Sequence, residues 1–232
     1  MSSQPNQSLI DGLACLQYLA SSRKPVGCRE MARDLNINHM RSNRLLKTLA
    51  DIGLAQQDKK KKYFIGPGIH ALTAQAIFGS SILKQALPLI KAIPCKGITV
   101  ALGVLWRGNV TYLFHGKVGE GLDQGIGRIG LIPYYRSTIG MLLLSYEEDE
   151  VIKELHKNTE SGITEKSLMA DINKIRKNNY CIKTHDGSED IGLAYPIGLP
   201  PRIGIAFAGI PGNEDIKVYQ SELKNISDKI IL

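Results

Sequence analysis

The sequence predicts an α+β protein in two parts, a helical and basic N-terminal third followed by a strand-rich remainder. Three observations carry this. Apolar residues recur at helical spacing through the first part, then change to β-rich runs from Ile98 onward. Charge is segregated: residues 1–70 hold 11 Lys and Arg against 5 Asp and Glu, whereas residues 71–232 hold 18 against 17. In the second part, strand-like runs stand at both ends with helical segments between them, the order of an antiparallel α+β domain.

The first helix places Ile10, Leu13, Leu16, Leu19 and Ala20 at helical spacing, and Ser8 with Asp11 three residues on fits a capping box. It ends near SSRKP, where Pro25 restricts the residue before it. A second, short helix runs from about Cys28 to Leu35 behind Gly27 as N-cap. Asn36 tolerates the left-handed backbone of a tight turn, and Asn38 can cap the helix that follows. Helix, short turn, helix is the arrangement that lays its second helix in a DNA groove.

At about 100° per residue, the third helix gathers Leu45, Leu46, Leu49 and Ile52 on one face. Asn43, Arg44 and Lys47 lie on the other with Met40. Arg41 sits between the faces, and His39, Arg41 and Ser42 are exposed at the N-terminal end. The first acid after Asn36 is Asp51. A solvated helix face more often mixes signs, while Arg, Lys, Asn and Ser are the types that reach phosphate, guanine and adenine. Leu54–Gln57 and Tyr63–Ile65 then read as two strands joined by DKKKK. Alone, four lysines fit a solvated turn; beside a basic helix they read as a wing over the phosphate backbone. The candidate DNA-binding residues are therefore Asn38, His39, Arg41, Ser42, Asn43, Arg44, Lys47, Lys59, Lys60, Lys61 and Lys62, and the expected partner is double-stranded operator DNA.

Pro67-Gly68 marks a boundary. A connecting helix is expected over 69–78, a break at Gly79–Ser81, and a second helix over 82–93 interrupted by Pro88. The expected domains are a winged helix-turn-helix (1–68), a helical linker (69–95) and a strand-rich α+β domain (96–232). In the last, ITVALGVL, NVTYLFHGK, YCIKTH, IGLAYPIG and IGIAFAGIP are strand-like. Helical segments fall near 138–156, 166–178 and 214–230.

Several motifs point away from catalysis. GIGRIG (Gly125–Gly130) satisfies G-x-G-x-x-G, but the preceding strand ends some eight residues earlier and Leu131-Ile132-Pro133 follows, so it reads as a glycine-rich loop. The histidines are scattered. His185-Asp186 precedes a turn signal, EEDE (147–150) is the acidic first turn of a helix, and neither Ser137 nor Ser145 has the Gly-x-Ser-x-Gly context. Cys15, Cys28, Cys95 and Cys181 form no close pair and read as reduced thiols. No enzyme, metal or cofactor is expected. No apolar run approaches the roughly 18 residues of a membrane span, and MSSQPNQS does not read as a secretory signal, so the expected location is the cytoplasm.

A pocket candidate is IPYYRSTIGMLLLS (132–145). Ser137 can cap the helix that follows, free N–H groups at such a helix start favour an anion, and Tyr134, Tyr135 and Arg136 add donors. A simple capped core helix fits the same residues.

The stretch PVGCREMARDLNINHMRSNRLLKTLADIGLAQQDKKKKYFIGPG resembles the IclR family of bacterial transcription regulators. Glu30-Met31-Ala32 matches the family's Glu-apolar-Ala, Arg44-Leu45-Leu46 its Arg-Leu-Leu, Leu49 to Gly53 its Leu-x-x-x-Gly, and Ile65-Gly66 the end of its wing. Pro88 and the order of the later elements extend the resemblance over nearly the whole chain. It implies a homodimer or dimer of dimers, a GAF-like antiparallel sheet domain, and a small-molecule effector, often an organic acid. The effector positions it implies are Tyr134, Tyr135, Arg136, Ser137, Thr138, Gly140, Met141, Lys183, Gly192 and Ala208. Here the chain departs from the family: the usual Gly-Lys is Gly140-Met141, and an Asp, a Cys and a Ser fall at Lys183, Gly192 and Ala208. An anionic effector remains compatible with Lys183. The alternative is a ligand-binding or protein-interaction module whose DNA binding has lapsed.

Overall fold

Asn6, not Ser8, caps the first helix, α1 (Gln7–Ser21), in the computed structural model of the chain, which describes residues 4–94, 97–125, 130–184 and 189–231. The Asn6 Oδ1 accepts from Ser8 N and Leu9 N at 3.0 and 3.2 Å. The expected capping-box acid, Asp11, instead turns inward and is buried. Helix α2 (Cys28–Asp34) starts at Gly27, whose N–H donates to the Glu30 carboxylate at 3.3 Å. Asn36 makes the left-handed turn at φ 50°. Asn38 then caps α3 (His39–Asp51) by accepting from Met40 N at 2.8 Å.

Strands β1 (Ala55–Gln57) and β2 (Tyr63–Ile65) pair antiparallel, and Val26 adds a bridge to Tyr63. Leu46 and Leu49 of α3 pack with Cys15, Leu19, Val26, Met31, Ala55 and Tyr63. Leu45 is half-buried. Ile52, expected on the same face, is 61% exposed, because it stands past the last turn as the C-cap and escapes the helical period. Helix α4 (Pro67–Gly79) opens on Pro67, a residue suited to a first turn.

The chain divides into two units, Met1–Ser80 and Ser81–Leu232, so the two helices expected in the linker fall one in each. In the second unit, α5 (Ser81–Lys91) runs through Pro88 without the expected interruption. Its Leu83, Ala86 and Ile90 are buried in a sheet core, which offsets the one hydrogen bond a mid-helix proline removes.

The sheet comprises β3 (Thr99–Trp106), β4 (Asn109–Lys117), β5 (Ile132–Pro133), β6 (Cys181–Thr184), β7 (Ile191–Ile197) and β8 (Ile203–Ile210). Its order is β5-β4-β3-β8-β7-β6, and every neighbouring pair is antiparallel. The short β5 has no counterpart in the sequence expectations. Val100, Leu102, Leu193, Ile205 and Phe207 pack with α5 and with α9 (Ile216–Lys229), whose Tyr219, Leu223 and Ile226 face inward. Ala101, Ala194 and Ala206 belong to a separate core with α6 (Thr138–Leu144), α7 (Asp149–Lys157) and α8 (Glu165–Asn178). Strand alternation separates these two sets. The segment expected as helical over 138–156 is two helices, since Ser145 ends α6 and Glu148 starts α7. The fold is α+β, as the pattern predicts. GIGRIG lies mostly outside the described residues (126–129), as do Cys95, His185 and Asp186. Among the described residues, no helix is long and apolar enough to cross a membrane, and no cluster of metal-binding side chains occurs.

Candidate functional site

The N-terminal unit presents a cationic surface on a helix whose other side is anchored in the core. With Leu46 fully buried and Leu49 nearly so, the opposite side of α3 stands in solvent: His39, Met40, Arg44 and Lys47 are exposed, and Asn43 is half-buried. Asn38 is exposed, but its side-chain oxygen is committed to the Met40 N–H. Two of the expected contact residues are placed otherwise. Ser42 is fully buried; its hydroxyl donates to the Cys28 carbonyl at 3.3 Å and lies 3.6 Å from Cys28 Sγ, tying α3 to the start of α2. Ser42 therefore cannot touch a base while α3 stays docked. Arg41 is drawn back toward α1: its Nε lies 2.7 Å from Asp11 Oδ2, with the carboxylate side chain only 10% exposed. The Nε–H does not point at that oxygen with hydrogen-bond geometry, so the contact is an ion pair. Gln7 donates to the other oxygen of Asp11 at 2.8 Å. The open surface is thus narrower than the sequence pattern implied, and Arg44 and Lys47 dominate it.

The wing is a tight turn organised by one acid. Asp58 Oδ1 accepts from Lys60 N and Lys62 N at 2.8 and 2.9 Å, and Lys61 takes a left-handed conformation at φ 59°. Lys59, Lys60, Lys61 and Lys62 are all exposed. Lys24, outside the residues expected from the sequence, lines a shallow cleft of about 440 Å³ with Pro25, Asp58, Lys59, Lys60 and Lys62. Its sequence signal was the Lys-Pro before an apolar residue, legible only once Val26 is known to pair with the wing.

In the second unit, a cleft of about 910 Å³ opens among the turn before α6, the polar side of α8 and the edge strand β6. Tyr135, Arg136, Met141 and Lys183 line it as expected. Lys183 Nζ donates to the Tyr135 carbonyl, which uses one of its three N–H donors and draws β6 toward the turn. The other expected residues are structural or lie elsewhere. Ser137 caps α6 by accepting from Gly140 N at 3.1 Å, and its hydroxyl meets the Tyr112 hydroxyl at 3.0 Å. Burial pushes the Tyr112 hydroxyl up from its ordinary value, so it stays protonated in this contact. Tyr134 is fully buried, with its hydroxyl 2.9 Å from His156 Nδ1. Thr138 and Gly140 are buried. Gly192 pairs with Lys183, and Ala208 pairs with Thr99; neither lines the cleft. Among the missed residues are Ser167, Asp171, Lys174 and Asn178, a polar stripe of α8 that runs beside the buried Leu168, Ile172 and Ile175, the last of which also lines the cleft. Their spacing was readable, but only the edge strand shows which side they help to enclose. Arg136, Lys174 and Lys183 set three cations against Asp171, a balance that favours an anion.

No profile of a known protein family matches the chain. It is 22% identical over 215 residues to the HTH-type transcriptional regulator KdgR of Escherichia coli (strain K12), covering 88% of this chain and 80% of that protein. It is 27% identical over 188 residues to the acetate operon repressor of Salmonella typhimurium, covering 75% and 68%. Among solved structures, an IclR family transcriptional regulator from Brucella abortus superposes with a TM-score of 0.76 at 19% identity, over 99% of this chain and 94% of that one. An IclR homolog from Microbacterium hydrocarbonoxydans, complexed with 4-hydroxybenzoate, superposes with a TM-score of 0.63 at 18% identity, over 97% of each chain.

Proposed function

We infer that this chain, an IclR-type protein from its winged helix to its last strand, is a sequence-specific DNA-binding transcription regulator. The observation that carries it is the exposed side of α3, where Arg44 and Lys47 stand without an acid before Asp51, on a helix anchored by buried Leu46 and Leu49. A cationic helix beside a lysine-tipped hairpin suits a duplex, with side chains in the major groove and the wing on phosphate. The test is selection of duplexes from a random pool by the full chain. Arg44→Ala should lower the preference for the selected site by about 1–3 kcal/mol. A wild-type protein that binds no duplex above background would instead favour the module with lapsed DNA binding.

The regulator acts as a homodimer. Residues 71–79 of α4 are all exposed although the helix is rich in apolar side chains, with Leu72 52% and Ile77 43% exposed; Leu9 and Leu13 of α1 are similarly open. Apolar surface of this kind supports association with a second copy. The ligand is a small anion, for which Arg136, Lys174 and Lys183 provide the cations. It controls DNA binding by favouring one conformation of the dimer. Carboxylates that stabilise the wild type in a thermal-shift screen should lose that effect in Lys183→Met.

A further inference from the structure

The regulator reading assigns the wing lysines to DNA, but the cleft at the wing is built by a second segment as well. The loop between α1 and α2 is pinned to the hairpin: Val26 N–H donates to the Tyr63 carbonyl at 2.7 Å, and Tyr63 N–H donates back to the Val26 carbonyl at 2.8 Å. Both side chains are buried, at 1% and 2% exposure, so this bridge is part of the core. Pro25 separates the bridge from Lys24. Proline fixes its own φ and confines the residue before it to extended backbone, so the path of the chain at Lys24 is set before any ligand arrives. The result is a cleft lined by Lys24, Lys59, Lys60 and Lys62.

Four cations share this cleft with one carboxylate, and Asp58 already holds the backbone N–H groups of Lys60 and Lys62. Like charges around one cleft repel one another, and a bound anion relieves that repulsion. The position beside the wing tip identifies the anion class: a phosphodiester of the same duplex that α3 reads.

We propose that Lys24, on the loop between α1 and α2, joins Lys59, Lys60 and Lys62 in a preformed phosphate-binding cleft, so that the first loop and the wing grip the DNA backbone together. This rests on the regulator reading. Lys24 carries affinity and salt dependence, whereas Arg44 carries sequence preference.

The test measures binding of the full chain to a selected duplex and to a scrambled duplex between 50 and 300 mM salt, for wild type, Lys24→Gln, Lys24→Arg and Arg44→Ala. In a homodimer, losing one phosphate contact from each protomer flattens the slope of log Kobs against log salt by about 1.8 and weakens binding roughly sixtyfold at 0.1 M. Lys24→Gln should show this on both duplexes, with the ratio between them unchanged, and Lys24→Arg should restore the slope. Far-UV circular dichroism of Lys24→Gln must match wild type, as expected for an exposed side chain. If wild type binds with a measurable slope and Lys24→Gln leaves it unaltered, this proposal is overturned while the regulator reading stands. If wild type binds neither duplex, the regulator reading falls and takes this one with it.

Discussion

Replacing Arg41 by alanine strands the Asp11 carboxylate on the inner side of α1, where only 10% of its side chain reaches solvent. Replacing Asp11 strands the Arg41 guanidinium, but that side chain is 32% exposed and can turn toward water. The two substitutions should therefore differ, although each breaks the same contact. Opposite unit charges about 4 Å apart attract by about 4 kcal/mol at an effective dielectric near 20, and desolvation of both groups offsets much of that. A net coupling of about 1–2 kcal/mol follows after discounting for Arg41's exposure. Arg41→Ala should cost about 2–3 kcal/mol, moderated by the Gln7 bond at 2.8 Å that still serves Asp11. Asp11→Ala should cost about 1 kcal/mol. The single tryptophan, Trp106, belongs to the other unit, so its fluorescence is the wrong probe. Hydrogen exchange of the α1 and α3 amides across a urea series, in a double-mutant cycle, reports the N-terminal unit directly. If Asp11→Ala costs more than Arg41→Ala, or if the coupling lies below about 0.3 kcal/mol, Arg41 is a free surface cation and the geometric argument fails.

Two further outcomes test the second unit. A Cβ at Gly140 would lie 2.5 Å from the Tyr134 carbonyl oxygen and 2.6 Å from its Cα, backbone atoms that no rotamer change can move. Gly140→Ala should destabilise this unit by about 1–3 kcal/mol, seen as a lower midpoint in a Trp106-monitored melt. Burial pushes the Cys181 thiol from 9.0 to about 12 and the Cys15 thiol to about 11. At pH 8, both should resist iodoacetamide in a Cys95→Ser chain, while half-buried Cys28 reacts first and urea abolishes the difference. As pH rises above about 9, the unfolded chain loses these protons before the folded one does, so stability should fall between pH 9 and 12.

Features set by neighbours in the chain were legible from residue order alone. The left-handed turn at Asn36, the Asn38 cap, the start of α3 and the wing strands depend on local backbone preference and on the 3.6 and 2.0 residue periods. So does the sorting of Leu46 and Leu49 from Arg44 and Lys47. The cationic character of the first third needed only counting. What required the folded chain is every fact in which partners lie far apart in sequence. Asp11 meets Arg41 across thirty residues, Ser42 is closed over by Cys28, Val26 carries Lys24 to the wing, and Lys183 reaches Tyr135. Periodicity states which way a side chain leaves its own element; it carries no information about what stands opposite. That is why a surface expected from Arg41, Ser42, Asn43, Arg44 and Lys47 narrowed to fewer residues, and why the cleft drew its lining from a helix and an edge strand that local patterns had left unconnected.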